Sequence, residues 1–221
     1  MTDFSTRRSV CGVNIPNTVT SSRIFLSPIF FLAFFVPLWT GFLLQTSIVV
    51  LWLLFVYIEF SDALDGDIAR RTNQVTDLGK VLDPFADVFS RLTYFVCLLV
   101  ANLMPVWVFI IILYREFGII FIRLLMYRKG VALAARSGGK IKTVMYSLGG
   151  GAGLLLSSLN RLGMYEPQGR LGLFSPFGAD FPAVYVEIIA YVAFAAYVIA
   201  AVLSVLSFLD YVRVFRGHGA A

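Results

Sequence analysis

Histidine and cysteine are almost missing from this chain of 221 residues, which has one of the first and two of the second. The single histidine, His218, stands in the C-terminal tail, so a Ser-His or Cys-His nucleophile system is excluded. Cys11 lies in a polar N-terminal arm and Cys97 inside an apolar run. Their separation gives neither a disulfide framework nor a metal-ligand spacing, and both read as small apolar fillers. Charge is scarce as well: 14% of residues are charged, against about 25% in a soluble domain. What fills the chain instead is hydrophobic residue, 59% of it, in runs long enough to cross a bilayer at roughly 20 residues per helix. This pattern describes a polytopic membrane protein. The formal charge of +5 then reads through membrane topology, and no nucleic-acid partner is expected.

Residues 1–16 form a polar arm carrying Arg7 and Arg8. The apolar run behind it is too long for a signal-peptide core and lacks a small-residue cleavage site, so it is expected to be retained. Helices are expected near 17–38, 44–72, 78–103, 105–127, 141–159 and 183–212. Between them lie a polar turn at 72–77, a basic loop at 128–142 and a loop rich in Gly and Pro at 160–182. The expectation is an all-α polytopic membrane protein with six transmembrane helices, its membrane domain over 17–213 and a short tail at 214–221. Six spans put both termini on one side. Of the 18 lysines and arginines, all but Arg161 and Arg170 fall on that side, which the positive-inside rule makes cytoplasmic. Gly149, Gly150, Gly151 and Gly153 read as close helix packing, since no Lys-Ser/Thr follows them as a phosphate loop requires.

Residues 62–87 hold the chain's unusual chemistry. Asp62 and Asp65 are three apart, Asp83 and Asp87 four apart, so on a helix each pair shares a face. Gly66 and Ala69 continue the first stripe and Gly79 the second. Four carboxylates in one small volume repel strongly at low dielectric, so a cation belongs between them. Clustered hard oxygen donors select Mg²⁺ or Mn²⁺ rather than Zn²⁺, and a pair of such ions holding phosphate oxygens is a recurring device for displacement at phosphorus. Asp67 and Asp77 read as solvated charges at helix ends.

The string D-x2-D-G-x2-A-R-x8-G-x3-D-x3-D, complete from Asp62 to Asp87, resembles the signature of the CDP-alcohol phosphotransferase family. That resemblance implies a six-helix homodimeric enzyme of the cytoplasmic membrane. Its partners would be a CDP-linked lipid donor and a small alcohol acceptor, with CMP released. It makes Asp62, Asp65, Asp83 and Asp87 the ligands of two divalent ions. Asp87 would also deprotonate the acceptor hydroxyl, while Gly66, Ala69, Arg70 and Gly79 would line the CDP pocket. Glycine admits close backbone approach and arginine forks onto phosphate. Further stretches narrow the likeness: residues 14–20 with Arg23, residues 82–87, Arg115-Glu116, and residues 135–143 resemble phosphatidylglycerophosphate synthases. Those usually place Lys after the final Asp, where this chain has Val88.

The expected reaction is attack of an acceptor hydroxyl on the β-phosphorus of CDP-diacylglycerol. If the acceptor is sn-glycerol 3-phosphate, its phosphate needs cations, and Arg115, Arg123, Arg136, Lys140 and Lys142 are available. Arg115 and Arg123 lie eight apart and nearly on one helical face, although Glu116 is an alternative partner for one of them. Arg128, Lys129 and Lys142 also read as topological anchors. The alternatives are a transferase taking CDP-choline or CDP-ethanolamine to diacylglycerol, or one using serine or inositol phosphate. A divalent-cation transporter is a remoter reading, because the distal halves of the helices offer almost no acidic groups to line a path.

Overall fold

In lipid every backbone N–H and C=O must find its partner within its own segment, and each apolar run of the sequence accordingly winds into one helix. The computed structural model describes the backbone of residues 15–72, 77–128, 138–167, 174, 176–177 and 181–219. Side chains are described over 18–61, 82–126, 141–167, 174, 176–177, 181–213 and 215. The helices are α1 (Ile15–Thr40), α2 (Leu44–Thr72), α3 (Asp77–Val100), α4 (Val106–Arg128), α5 (Gly138–Arg161) and α6 (Val184–Gly219). No strand occurs among the described residues.

Helix ends depart from expectation for local reasons. α1 starts at Ile15, which puts Pro16 in its first turn, where a missing N–H costs nothing. α3 stops at Val100 because Asn102 takes a left-handed φ of 58° and the Leu103 amide bonds back to the Leu98 carbonyl at 2.8 Å, a Schellman closure. α5 ends the same way, with Gly163 at φ 72° and the Met164 amide on the Leu159 carbonyl at 2.9 Å. At the opposite end α6 runs on to Gly219, into the segment read from sequence as a tail.

α5 packs on α6, α1 on both α2 and α3, and α4 on α6, with smaller contacts of α3 to α4 and of α5 to α2 and α3. Phe30, Phe34, Phe55, Tyr94, Phe95, Tyr146 and Tyr197 are buried along the centre. Large apolar side chains elsewhere face outward, Phe25 at 76% and Val184 at 72% exposure among them, an outer surface suited to lipid rather than water. Three helical stretches, Thr18–Thr40, Leu44–Ser61 and Val184–Arg213, are long and apolar enough to cross a membrane. The chain is a multi-pass membrane protein.

The glycine run of α5 lies where neighbouring rings approach its backbone. A Cβ on Gly150 would sit 2.8 Å from Tyr94 and 3.1 Å from Phe55, and one on Gly149 would sit 2.9 Å from Tyr197. Tyr94 is fully buried and hemmed by Phe55 and Phe95, so it has little room to yield. Gly150→Ala is therefore expected to lower stability by about 1–3 kcal/mol, the usual cost of overpacking. Thermal unfolding in detergent checks this, and an unchanged midpoint would contradict the packing.

Arg161, sorted from sequence as a charge of the far side, is buried there between helices. It donates to Ser47 Oγ of α2 and to the Phe34 carbonyl of α1, each at 2.7 Å, with its guanidinium 4.9 Å over the Phe34 ring. It therefore ties α1, α2 and α5 together opposite the acidic motif. Arg170 lies outside the described residues.

Candidate active site

α2 ends, and α3 begins, at the end of the bundle where the acidic motif stands. Asp83 and Asp87 are one turn apart on α3, and each is held by an arginine. Arg23 of α1, fully buried, donates to Asp83 Oδ1 at 2.8 Å. Arg91, one turn further along α3, donates to Asp87 Oδ2 at 2.6 Å. The arginines are inside and the carboxylates face out: the Asp83 side chain is 48% exposed, that of Asp87 25%, that of Arg91 8%. Nearby serines spend their hydroxyls on their own helices, Ser27 on the Arg23 carbonyl and Ser90 on that of Ala86, so they do not compete for the site.

α2 carries Asp62, Asp65, Gly66, Ala69 and Arg70, and α3 carries Gly79, but the side chains of these residues lie outside those described. The link between the two helices is made just beneath them. Glu59, one turn before Asp62, accepts from Tyr94 Oη of α3 at 3.2 Å and from Ser147 Oγ of α5.

The expected acceptor cations separate into groups. Arg115 and Lys142 come together in a buried cluster on Glu116, which accepts from Arg115 Nη1 at 2.8 Å and from Lys142 Nζ at 2.7 Å. Tyr146 Oη donates to the same carboxylate at 2.9 Å and stands 2.6 Å from Ser204 Oγ. Arg115 also reaches Ser207 Oγ at 2.9 Å. Glu116 is thus the partner of two cations rather than of one. Arg123 stands apart, donating to Tyr211 Oη at 3.1 Å with its guanidinium 5.6 Å over that ring. Ser207 and Tyr211 share a face of α6, in keeping with Arg115 and Arg123 sharing a face of α4. Arg136 lies outside the described residues, as does the side chain of Lys140.

Arg91, Glu59 and Tyr146 were not singled out from sequence. Arg91 had a legible signal, since it stands four residues after Asp87. Glu59 had another, a carboxylate inside an apolar run one turn before Asp62. Tyr146 had none, because nothing in a sequence marks one tyrosine as the bridge between two charge clusters.

Among the described residues no three His, Cys, Asp or Glu side chains converge on one point. Asp83 and Asp87, adjacent on one face and turned outward, are donors of the hard-oxygen type that suits Mg²⁺ or Mn²⁺.

Fold and site together define a helical membrane protein whose charged chemistry is gathered at one end of an apolar bundle. The chain belongs to the CDP-alcohol phosphatidyltransferase family, whose family model matches residues 13–208. It is 44% identical over 117 residues to the CDP-diacylglycerol–glycerol-3-phosphate 3-phosphatidyltransferase of Treponema pallidum, a match covering 53% of each chain. This chain therefore spans about half the length of that relative. It is 39% identical over 136 residues to the protein of that name in Bacillus subtilis, covering 59% of this chain and 70% of the other. A CMP-forming cardiolipin synthase of Streptomyces coelicolor is 45% identical over 56 residues, 25% of this chain and 26% of that one.

Proposed function

We propose that the protein transfers a phosphatidyl group from CDP-diacylglycerol to sn-glycerol 3-phosphate and releases CMP. The observation that carries this reading is the outward-facing pair Asp83 and Asp87, set beside a buried cluster in which two cations share one carboxylate. The relatives' names agree with it. In this reading six spans place both termini and the site at the cytoplasmic face of the inner membrane. The membrane domain occupies 17–213, and the protein works as a homodimer.

Asp62, Asp65, Asp83 and Asp87 would hold two Mg²⁺ or Mn²⁺ ions, which when bound supply charge neutralisation at the donor diphosphate. Gly66, Ala69, Arg70 and Gly79 line the CDP pocket. Asp87 takes the proton of the acceptor hydroxyl as its oxygen bonds to the β-phosphorus. The phosphoanhydride bond to CMP breaks, and the electron pair leaves with CMP. Such transfer asks chiefly for positioning and fixed charge. Because Arg115 and Lys142 are buried and engaged by Glu116, they act on the acceptor phosphate through the surplus positive charge of their cluster. Arg123, Arg136 and Lys140 are the other cations assigned to the acceptor phosphate in this reading.

The test is CMP release by purified protein in detergent with CDP-diacylglycerol and Mg²⁺, offering sn-glycerol 3-phosphate, serine, inositol, inositol phosphate or phosphatidylglycerol. Turnover with glycerol 3-phosphate alone is expected. Turnover with another acceptor and none with glycerol 3-phosphate would keep the phosphotransfer core and discard the acceptor. Turnover of CDP-choline with diacylglycerol would discard the donor as well.

A further inference from the structure

We propose that Arg91 is a positioning residue that holds the Asp87 carboxylate in one orientation and anchors it to the buried cation cluster of α4 and α5. The proposal rests on the reading of Asp87 as the base.

Position 88, next to Asp87, is Val88, and its buried side chain forms part of the wall of an apolar groove of about 450 Å³ between α1, α3 and α4, together with Phe31, Phe85, Phe89 and Phe109. A cation at 88 would therefore point into that groove. One turn on, Arg91 returns to the face of Asp87 and bonds its Oδ2 at 2.6 Å, a short charge-assisted contact.

The guanidinium is confined from its other side. It lies 5.8 Å over the ring of Tyr146, a separation at which a cation is drawn to the ring face. Tyr146 is itself fastened, with Glu116 and Ser204 on its hydroxyl and the Lys142 ammonium 4.8 Å over its ring. Arg91 is 6% exposed, so a swing away from Asp87 would leave a charge inside the bundle. A buried guanidinium confined in this way fixes where the bonded Oδ2 can stand. A general base depends on that, because proton transfer requires it to stay within hydrogen-bond reach of the hydroxyl. Asp83 is held instead by Arg23 of α1, a different helix.

The experiment compares Arg91→Met, Arg91→Gln, Arg91→Lys and Asp87→Asn. Each is measured for kcat and for KM toward both substrates, and for thermal unfolding in detergent. Arg91→Met and Arg91→Gln are expected to lower kcat by about 10²-fold, the scale of a small misplacement at the reacting centre. KM for glycerol 3-phosphate should hardly change, and Arg91→Lys should recover part of the loss. If Arg91→Met does not fold, Arg91→Gln, which keeps hydrogen-bond donors, carries the same readout. Full kcat in either variant while Asp87→Asn is inactive would overturn the proposal and leave the base in place. So would a raised KM with kcat intact, which would put Arg91 on the acceptor phosphate. A fall in kcat that follows the loss of folded protein, with no recovery by lysine, would leave Arg91 only a packing role. Full activity in Asp87→Asn would remove the reading of Asp87 itself.

Discussion

Asp87→Asn lowers CMP release by about 10²- to 10⁴-fold, the range for removal of a positioned general base, while the bundle stays folded. Asparagine keeps the shape of the side chain and an oxygen for Arg91, so the clamp on position 87 survives in part. What goes is the carboxylate's capacity to take a proton. The fold tolerates the change because the amide oxygen still accepts from Arg91 and the side chain at 87 is 25% exposed. Asp83→Asn is the parallel change at a carboxylate held by an arginine of another helix, and as the Asp83 side chain is 48% exposed that variant should also stay folded. The check is kcat and KM by CMP release beside thermal unfolding of both variants. An Asp87→Asn protein that turns over at nearly the normal rate would remove Asp87 from proton transfer.

Which parts of this architecture could be read in advance follows from the kind of information each part needs. Six helices were legible because lipid leaves an apolar run no other way to bond its backbone. Their ends were less so: the stop at Val100 depends on Asn102 adopting a left-handed turn, which many residues at that place would not do. That Asp83 and Asp87 share one face of a helix was legible from their spacing, and the close packing at the glycines of α5 because absent side chains imply near neighbours. Arg161 was sorted from sequence only to a side of the membrane, and its burial was not legible because positive-inside sorting counts a charge without saying whether it is solvated. Its partners, Ser47 and the Phe34 carbonyl, come from helices more than 100 residues away in sequence. Glu116 was recognised as a partner for one cation, but its sharing by Arg115 and Lys142 requires α4 and α5, both packed on α6, to stand at one particular relative height. Local sequence does not contain that.

The largest loss of stability is expected at Glu116. Its side chain is 9% exposed and accepts from Arg115, Lys142 and Tyr146 at once. Glu116→Gln retains the volume and removes the charge, which leaves two buried cations facing each other. Breaking a buried pair from one side costs about 3–5 kcal/mol, and here one substitution breaks two. Glu116→Ala adds a cavity and should be worse. The informative variant replaces all three groups, with Glu116→Gln, Arg115→Met and Lys142→Met together. With both cations replaced by apolar side chains, no unpaired charge remains in the cluster and the amide at 116 can still accept from Tyr146, so the variant's unfolding midpoint should return toward that of the unaltered protein. Its KM for glycerol 3-phosphate should not, if the surplus charge of the cluster is what meets the acceptor phosphate. Thermal unfolding and acceptor KM on the same preparations therefore separate the two roles. Recovery of both would make the cluster a structural staple and leave acceptor recognition to Arg123, Arg136 and Lys140, while a Glu116→Gln protein as stable as the parent would mean that the cluster is open to water.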